Sequence, residues 1–236
     1  MYATPSRERA SYCGVLERVV AWLRTIDKLT QPADIQAMSA CARSMFEIVV
    51  DLTLLALDPA ENSHEKLETW ERSAHLHNAE RTKRFLEGQP APRVFAPALK
   101  FIAERRAEIV ADRMRLWGSS RHQPRWTGRA FDQDVVEADR LLGVRQFQYL
   151  HTGTFAHLCW NTHGSALAGL RAFDQTGVAA LVGVALGMTA EFAQRAAMLV
   201  LRLYNVPAAD TDAHFDRLTA NRAVLRTSVL GEFGVT

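Results

Sequence analysis

The chain has 236 residues, 48% of them hydrophobic, with 28 Lys and Arg against 26 Asp and Glu for a formal net charge of +2. That apolar share allows a sizeable buried core and excludes a disordered composition, while the near-neutral balance excludes a polycation that holds acidic partners by bulk charge. The three cysteines, Cys13, Cys41 and Cys159, are odd in number and widely spaced, which excludes a disulfide framework and reads as reduced thiols in a cytoplasmic protein.

The first nine residues are polar and carry no apolar signal core. Helical periodicity then runs through most of the chain, and no alternating strand pattern stands between hairpin turns. A first helix is predicted from about Arg7 to Leu29, with Leu16, Val19, Val20 and Leu23 on one face. Thr30, Pro32 and Asp34 start a second, about Ala33 to Leu57, which Asp58-Pro59 stops. A charged helix follows from about Ser63 to Glu87, ended by Gly88, and Gln89-Pro90-Ala91-Pro92 is a short rigid linker. The next helix spans roughly Pro97 to Trp117, and the aperiodic stretch Gly118 to Ala130 is the main ordered loop. A short helix from Phe131 to Leu142 leads to Gly143, followed by Val144 to Leu170 with a break near Gly153. An apolar helix from Val178 to Tyr204 stops at Asn205 and Pro207, and a last one covers about Thr211 to Val229.

The predicted fold class is therefore all-α, a single-domain bundle of about seven to eight helices over 1–236, divisible into an N-terminal half 1–88, the linker 89–92 and a C-terminal half 93–236. The longest apolar run, Val178 to Ala190, is 13 residues and ends at Glu191, too short to cross a bilayer. No membrane span is expected.

Charge is unevenly distributed. Residues 58–80 hold six acidic and two basic side chains, and residues 81–129 hold twelve basic and four acidic ones. With Trp117 and Trp126 nearby, such a stripe suits a phosphate backbone; it also suits ordinary solvated helix faces. Three segments could carry chemistry. Arg43 and Glu47 stand one helical turn apart and can pair, either lining an interhelical pocket or forming the solvent stripe of an amphipathic helix. In the loop 121–129, Arg121, Arg125 and Arg129 could hold phosphates while Trp126 stacks on a base, or Trp126 could anchor the loop to the core. The segment 145–157 concentrates Arg145, Tyr149, His151 and His157. An imidazole that exchanges protons near neutral pH and a guanidinium that neutralises phosphoryl charge suffice for metal-independent RNA cleavage. At ~100° per residue, however, His151 lies ~120° around a helix from Arg145, so the two converge only through a distortion near Gly153 or across a second subunit. The alternative is a hydrogen-bonded, partly buried His151.

His151, His157 and His163 are six residues apart and share no helix face, and no HxxxH or CxxC spacing occurs, so no metal is expected. P-loop, Rossmann and serine-hydrolase signatures are also missing, and no cofactor is expected.

The order Arg-Ser-Met-Phe-Glu (43–47), Trp-Thr-Gly-Arg (126–129) and Tyr-x-His-Thr-Gly (149–153) resembles helical bacterial families of unknown function, over roughly residues 35–204. These are similar to the wider HEPN group, many of whose members are metal-independent ribonucleases of toxin–antitoxin and phage-defence systems. The HEPN hallmark is Arg, four to six residues, then His, with a polar residue after the Arg. Arg145, Gln146 and His151 fit that spacing, although Asn, Asp or His is commoner than Gln. The resemblance implies Arg145 and His151 as a catalytic pair near a homodimer interface, with Tyr149, Arg121, Arg125, Trp126 and Arg129 binding substrate RNA, and an antitoxin or other protein as partner. Two other functions stay open: a non-catalytic interaction protein, and a small-molecule pocket around Arg43, Glu47 and His151.

Overall fold

The computed structural model describes residues 7–29, 31, 34–57, 62–88, 92–162 and 175–204, with isolated positions thereafter. The architecture is all-α, with no strand among the described residues. The helices are α1 (Arg7–Ile26), α2 (Ile35–Leu57), α3 (Ser63–Phe85), α4 (Ala96–Trp117), α5 (Phe131–Leu142), α6 (Gln146–Leu150), α7 (Ala156–Thr162) and α8 (Gln175–Leu203). A single π-helical turn, His151–Phe155, separates α6 from α7. The expected final helix, the break beyond Thr162 and residues 58–61 and 89–91 of the expected stop and linker lie outside the described residues, except for isolated positions near the C-terminus.

The chain forms two compact units, one from residues 1–58 and 135–236 and the other from 59–134. The segment around the expected linker thus falls within the second unit, and the chain passes between units at residues 58/59 and 134/135.

In the first unit α2 is the central element. Ile35, Met38, Cys41, Ala42, Met45, Phe46, Val49, Val50, Leu52 and Leu54 are all buried, so apolar side chains cover most of its circumference. It packs against α1, α7 and α8. Asp34 precedes the helix, and its carboxylate accepts the Gln31 N–H at 3.1 Å, which fixes the turn into α2. From Ala179 to Leu203, α8 is apolar and long enough, by length and composition alone, to cross a membrane. The sequence reading counted only the run that Glu191 interrupts. In the fold, Glu191 pairs with Arg195 at 2.6 Å and the charged residues neutralise each other within the helix.

The entry to α6 depends on a carboxylate. Asp139, fully buried on α5, accepts the backbone N–H groups of Phe147 at 2.9 Å and Gln148 at 2.8 Å. Helix N-termini carry unsatisfied donors, and here an acidic side chain eight residues upstream satisfies two of them.

In the second unit α3 and α4 pack on Leu76, Ala79, Ile102 and Ile109, flanked by Ala98, Phe101 and Val110. Ion pairs cross between them: Arg72 with Glu108 at 2.8 Å and Asp112 at 3.0 Å, Arg106 with Glu80 at 3.1 Å, and Arg115 with Glu65. The hydrogen bonds from Arg115 hold the Glu65 carboxyl below the usual carboxylate range. The acidic stretch and the basic stretch of the sequence therefore meet each other on adjacent helices. Gly118 ends α4 in the left-handed region, at φ 64°, with its N–H on the Met114 carbonyl at 2.9 Å.

Replacing Asp139 by Ala removes the acceptor of the buried Phe147 N–H and the half-buried Gln148 N–H, and the expected cost is about 2 kcal/mol in a urea unfolding curve. A curve superimposable on wild type would show that α6 needs no such support.

Candidate functional site

Phe46 organises the polar residues of the first unit. Its buried ring meets Phe147 at 5.9 Å, Phe155 at 5.2 Å, Phe192 at 5.2 Å and His151 at 6.5 Å, the last nearly parallel at 12°. His151 also lies 5.1 Å from Phe155. The Arg43 guanidinium covers the other ring in reach, 5.7 Å from the Phe155 centroid, and its Nε donates to Glu47 Oε1 at 3.0 Å. His151 and Arg43 thus both meet Phe155, and a second ion pair, Arg195–Glu191, borders the cluster through Arg195 over Phe147 at 5.9 Å. Cys159 on α7 stands close enough to feel both Arg43 and Glu47, while burial, the larger effect, pushes its thiol pKa up. A raised pKa keeps the sulfur protonated at neutral pH and unsuited to nucleophilic attack.

The Arg43–Glu47 pair forms as its spacing implied, with both side chains 32% exposed. It is neither a solvated stripe nor a sealed pair, and its contribution belongs near the ~1 kcal/mol upper end for surface pairs. What the arrangement offers a ligand is a guanidinium, a carboxylate and an imidazole, each half-buried, at the edge of a buried aromatic cluster.

Arg145 is placed differently. It is the N-cap residue of α6, its side chain is exposed, and no hydrogen bond or ion pair engages that side chain among the described residues. Tyr149, one turn on, is 78% exposed. The distortion anticipated near Gly153 exists, but the π turn begins at His151. Arg145 itself has φ −122° and ψ 30°, outside the helical region, and α-helical geometry covers Gln146–Leu150 between the two. Among the described residues no hydrogen bond or ion pair joins the Arg145 side chain to His151. His157, the other histidine of this segment, is exposed on α7.

The arginine-rich loop belongs to the second unit and is tied to its interior. Asp134, fully buried, accepts Arg125 Nε at 2.7 Å, Thr127 Oγ1 at 2.9 Å and Arg129 Nε at 2.9 Å. Arg125 also stacks on Phe131, 4.7 Å from the ring centroid. Trp126 is only 3% exposed, and its carbonyl accepts Trp117 Nε1 at 3.1 Å. Gly128 has φ 79°, and a Cβ there would stand 2.9 Å from Trp117 Cδ1, so backbone conformation and close approach both require glycine. A ring with so little free surface is no stacking platform; the geometry fits the anchoring role for Trp126. Of the loop arginines, Arg121 alone has an exposed side chain with no hydrogen bond or ion pair among the described residues.

A further polar knot lies on α3 and α4. Arg113, 4% exposed, donates to Ser73 Oγ at 2.8 Å, to the Ser73 carbonyl at 3.0 Å and to the Ser120 carbonyl at 3.1 Å. Ser73 Oγ lies 2.7 Å from His122 Nδ1, and the His122 ring stacks against Trp70 at 5.9 Å and His77 at 5.1 Å. The Ser73 hydroxyl accepts from Arg113 and sends its own proton to His122, an arrangement that suits the neutral imidazole. Burial first, then His77 and Arg113, push the His122 pKa below its ordinary value near 6.5. Sequence reading missed this knot and both buried aspartates. Asp134 lies within a helix's first turn and Asp139 within a polar stretch, and neither position distinguishes a buried acceptor from a solvated one.

Among the described residues no cluster of three His, Cys, Asp or Glu side chains could hold a metal ion. Compared with family models, curated proteins and solved structures, the chain matches none.

Two outcomes are expected. Asp134→Ala removes the buried carboxylate that accepts from Arg125, Thr127 and Arg129 and is expected to cost about 3 kcal/mol by urea unfolding; a loss under ~1 kcal/mol would mark the loop as solvated. For His122 the folded pKa lies below the unfolded one, so the unfolded chain binds the proton first as pH falls. Its contribution is intact above about pH 6.5 and is lost progressively below it. The stability difference between wild type and His122→Gln is therefore expected to shrink between pH 7.5 and 5, and a constant difference would contradict the assignment.

Proposed function

We propose that the chain is a helical binding protein whose first unit takes a small ligand that combines a planar ring with an anionic group. The observation that carries this reading is the meeting of Arg43 and His151 on the Phe155 ring, beside the Arg43–Glu47 pair and against Phe46. The Arg43 guanidinium, backed by the buried Phe155 ring, gives a planar ligand a face to stack on and an anion a bidentate donor, and the half-buried Glu47 and His151 supply an acceptor and a proton-exchanging partner. Nucleoside monophosphates have this chemistry and are the probe of choice.

The test is calorimetric titration with adenosine and uridine monophosphates, with benzoate as the minimal ring-plus-anion probe. Saturable binding is expected, weakened about tenfold or more in Arg43→Gln and in His151→Ala, and unchanged in Arg145→Ala. Binding that survives both site substitutions, or no binding of any probe at millimolar concentration, would overturn the reading.

A second reading is favoured by one observation, the exposed and unengaged guanidinium of Arg145 at the start of α6 with Tyr149 exposed one turn later. In a homodimer this face of one chain could meet His151 of another, as the HEPN resemblance implies, and cleave RNA without metal. The arginines expected to bind substrate contribute less than the sequence implied, because Arg125 and Arg129 are held by Asp134. Incubation with total RNA in EDTA separates the readings. Cleavage that is lost in Arg145→Ala, leaves a 2′,3′-cyclic phosphate and spares DNA would favour the nuclease; intact RNA together with ligand binding indifferent to Arg145 would favour the pocket.

A further inference from the structure

On the first unit, α1 and α8 leave an open groove of about 560 Å³ with apolar walls. Val20, Leu23 and Ile26 form one side and Leu186 the other, and Val20 and Leu186 are 38% and 36% exposed. Only 39% of the apolar stretch of α8 is buried, so this helix keeps more uncovered apolar surface than a core helix requires. Two charged residues also line the groove, Arg24 and Asp27. Both are exposed, and among the described residues neither side chain has a hydrogen bond or an ion pair, with each other or with anything else. Arg24 is in the last turn of α1 and Asp27 follows its end; three residues apart, they do not pair with each other as Arg105 and Glu108 do on α4 at 2.9 Å.

We infer that the α1–α8 groove is an isologous interface that takes a second copy of this chain, with Arg24 of each copy paired to Asp27 of the other. The charge pattern selects this occupant. If α1 of one copy runs antiparallel to α1 of the next about a two-fold axis between residues 24 and 27, each Arg24 faces an Asp27 and each Asp27 an Arg24. The same surface is then complementary to itself in charge while its apolar residues cover one another. A lipid surface is a poorer occupant, because Arg24, Asp27, Glu191 and Arg195 would enter or border hydrocarbon. The inference is independent of the ligand site around Phe46.

The full chain is the test material. Wild type is expected to show a concentration-dependent dimer by sedimentation between about 1 and 100 μM. Arg24→Asp places two carboxylates opposite each other at every contact, and Asp27→Arg places two guanidiniums; each is expected to weaken the dimer by at least about tenfold. Mixing the two single variants restores complementary pairs and is expected to give a heterodimer, and the double variant R24D/D27R is expected to dimerise as wild type does. Both positions are exposed, Arg24 in the last turn of α1 and Asp27 just after it, so the helical circular dichroism is expected to be unchanged. A wild-type monomer throughout that range would overturn the inference, as would a dimer indifferent to both single reversals. Sedimentation of the protein with phosphatidylcholine vesicles in place of self-association would assign the groove to a membrane and also overturn it.

Discussion

The first unit depends on one buried ring. Phe46 has no exposed surface and is contacted by aromatic side chains from α6, the π turn and α8. Burial of a phenyl ring contributes roughly 2–3 kcal/mol, and each well-oriented aromatic pair adds about 0.5–1.5 kcal/mol. The greater consequence is positional. Phe46 lies between Arg43 and Glu47 in sequence, so the packing that buries the ring also sets those two side chains at the edge of the core. His151 and Phe155, the first and last residues of the π turn, both meet the Phe46 ring. A polar group at the edge of such a cluster is partly desolvated, which strengthens its hydrogen bonds to a ligand relative to water.

In the second unit the governing constraint is the cost of buried charge. Asp134 has no exposure and meets it with three donors; Arg113, almost as buried, meets it with oxygens of Ser73 and Ser120. A buried ion whose hydrogen bonds are satisfied is tolerated, and one that loses a partner is strongly destabilising. Arg125 and Arg129, which looked available in the sequence, are occupied for this reason and hold the loop closed on Asp134. Arg106 and Arg115 are occupied too, in surface pairs with Glu80 and Glu65 of α3.

Much of the fold was legible because it follows from periodicity and punctuation. The apolar repeat of α2, the Gly118 stop after α4 and the Phe131–Leu142 helix were read within a few residues of where they lie. The candidate site was legible in part. The spacing of Arg43 and Glu47 carries a local pairing, and it formed. The division into units was not read, because it arises from contacts between α2 and α8, more than a hundred residues apart, which periodicity does not encode. The role of Trp126 and its neighbouring arginines was also undecided in the sequence. A Trp-Thr-Gly-Arg loop reads equally well as a stacking surface or an anchor until Asp134 and Trp117 are found against it. For His151, a distortion was legible in the neighbouring Gly153, and its start at His151 was not.

The proposed ligand meets Arg43 and His151 together at the edge of the buried Phe46–Phe155 cluster. A proton NMR titration of the histidine ring resonances with adenosine monophosphate, with His151 assigned through His151→Gln, tests this directly. The His151 resonance is expected to shift saturably, with ring-current contributions from the stacked base, while His122 and His77 stay in place, and the shift is expected to be lost in Arg43→Gln. A His151 resonance unmoved by ligand, or one that moves identically without the Arg43 guanidinium, would contradict it.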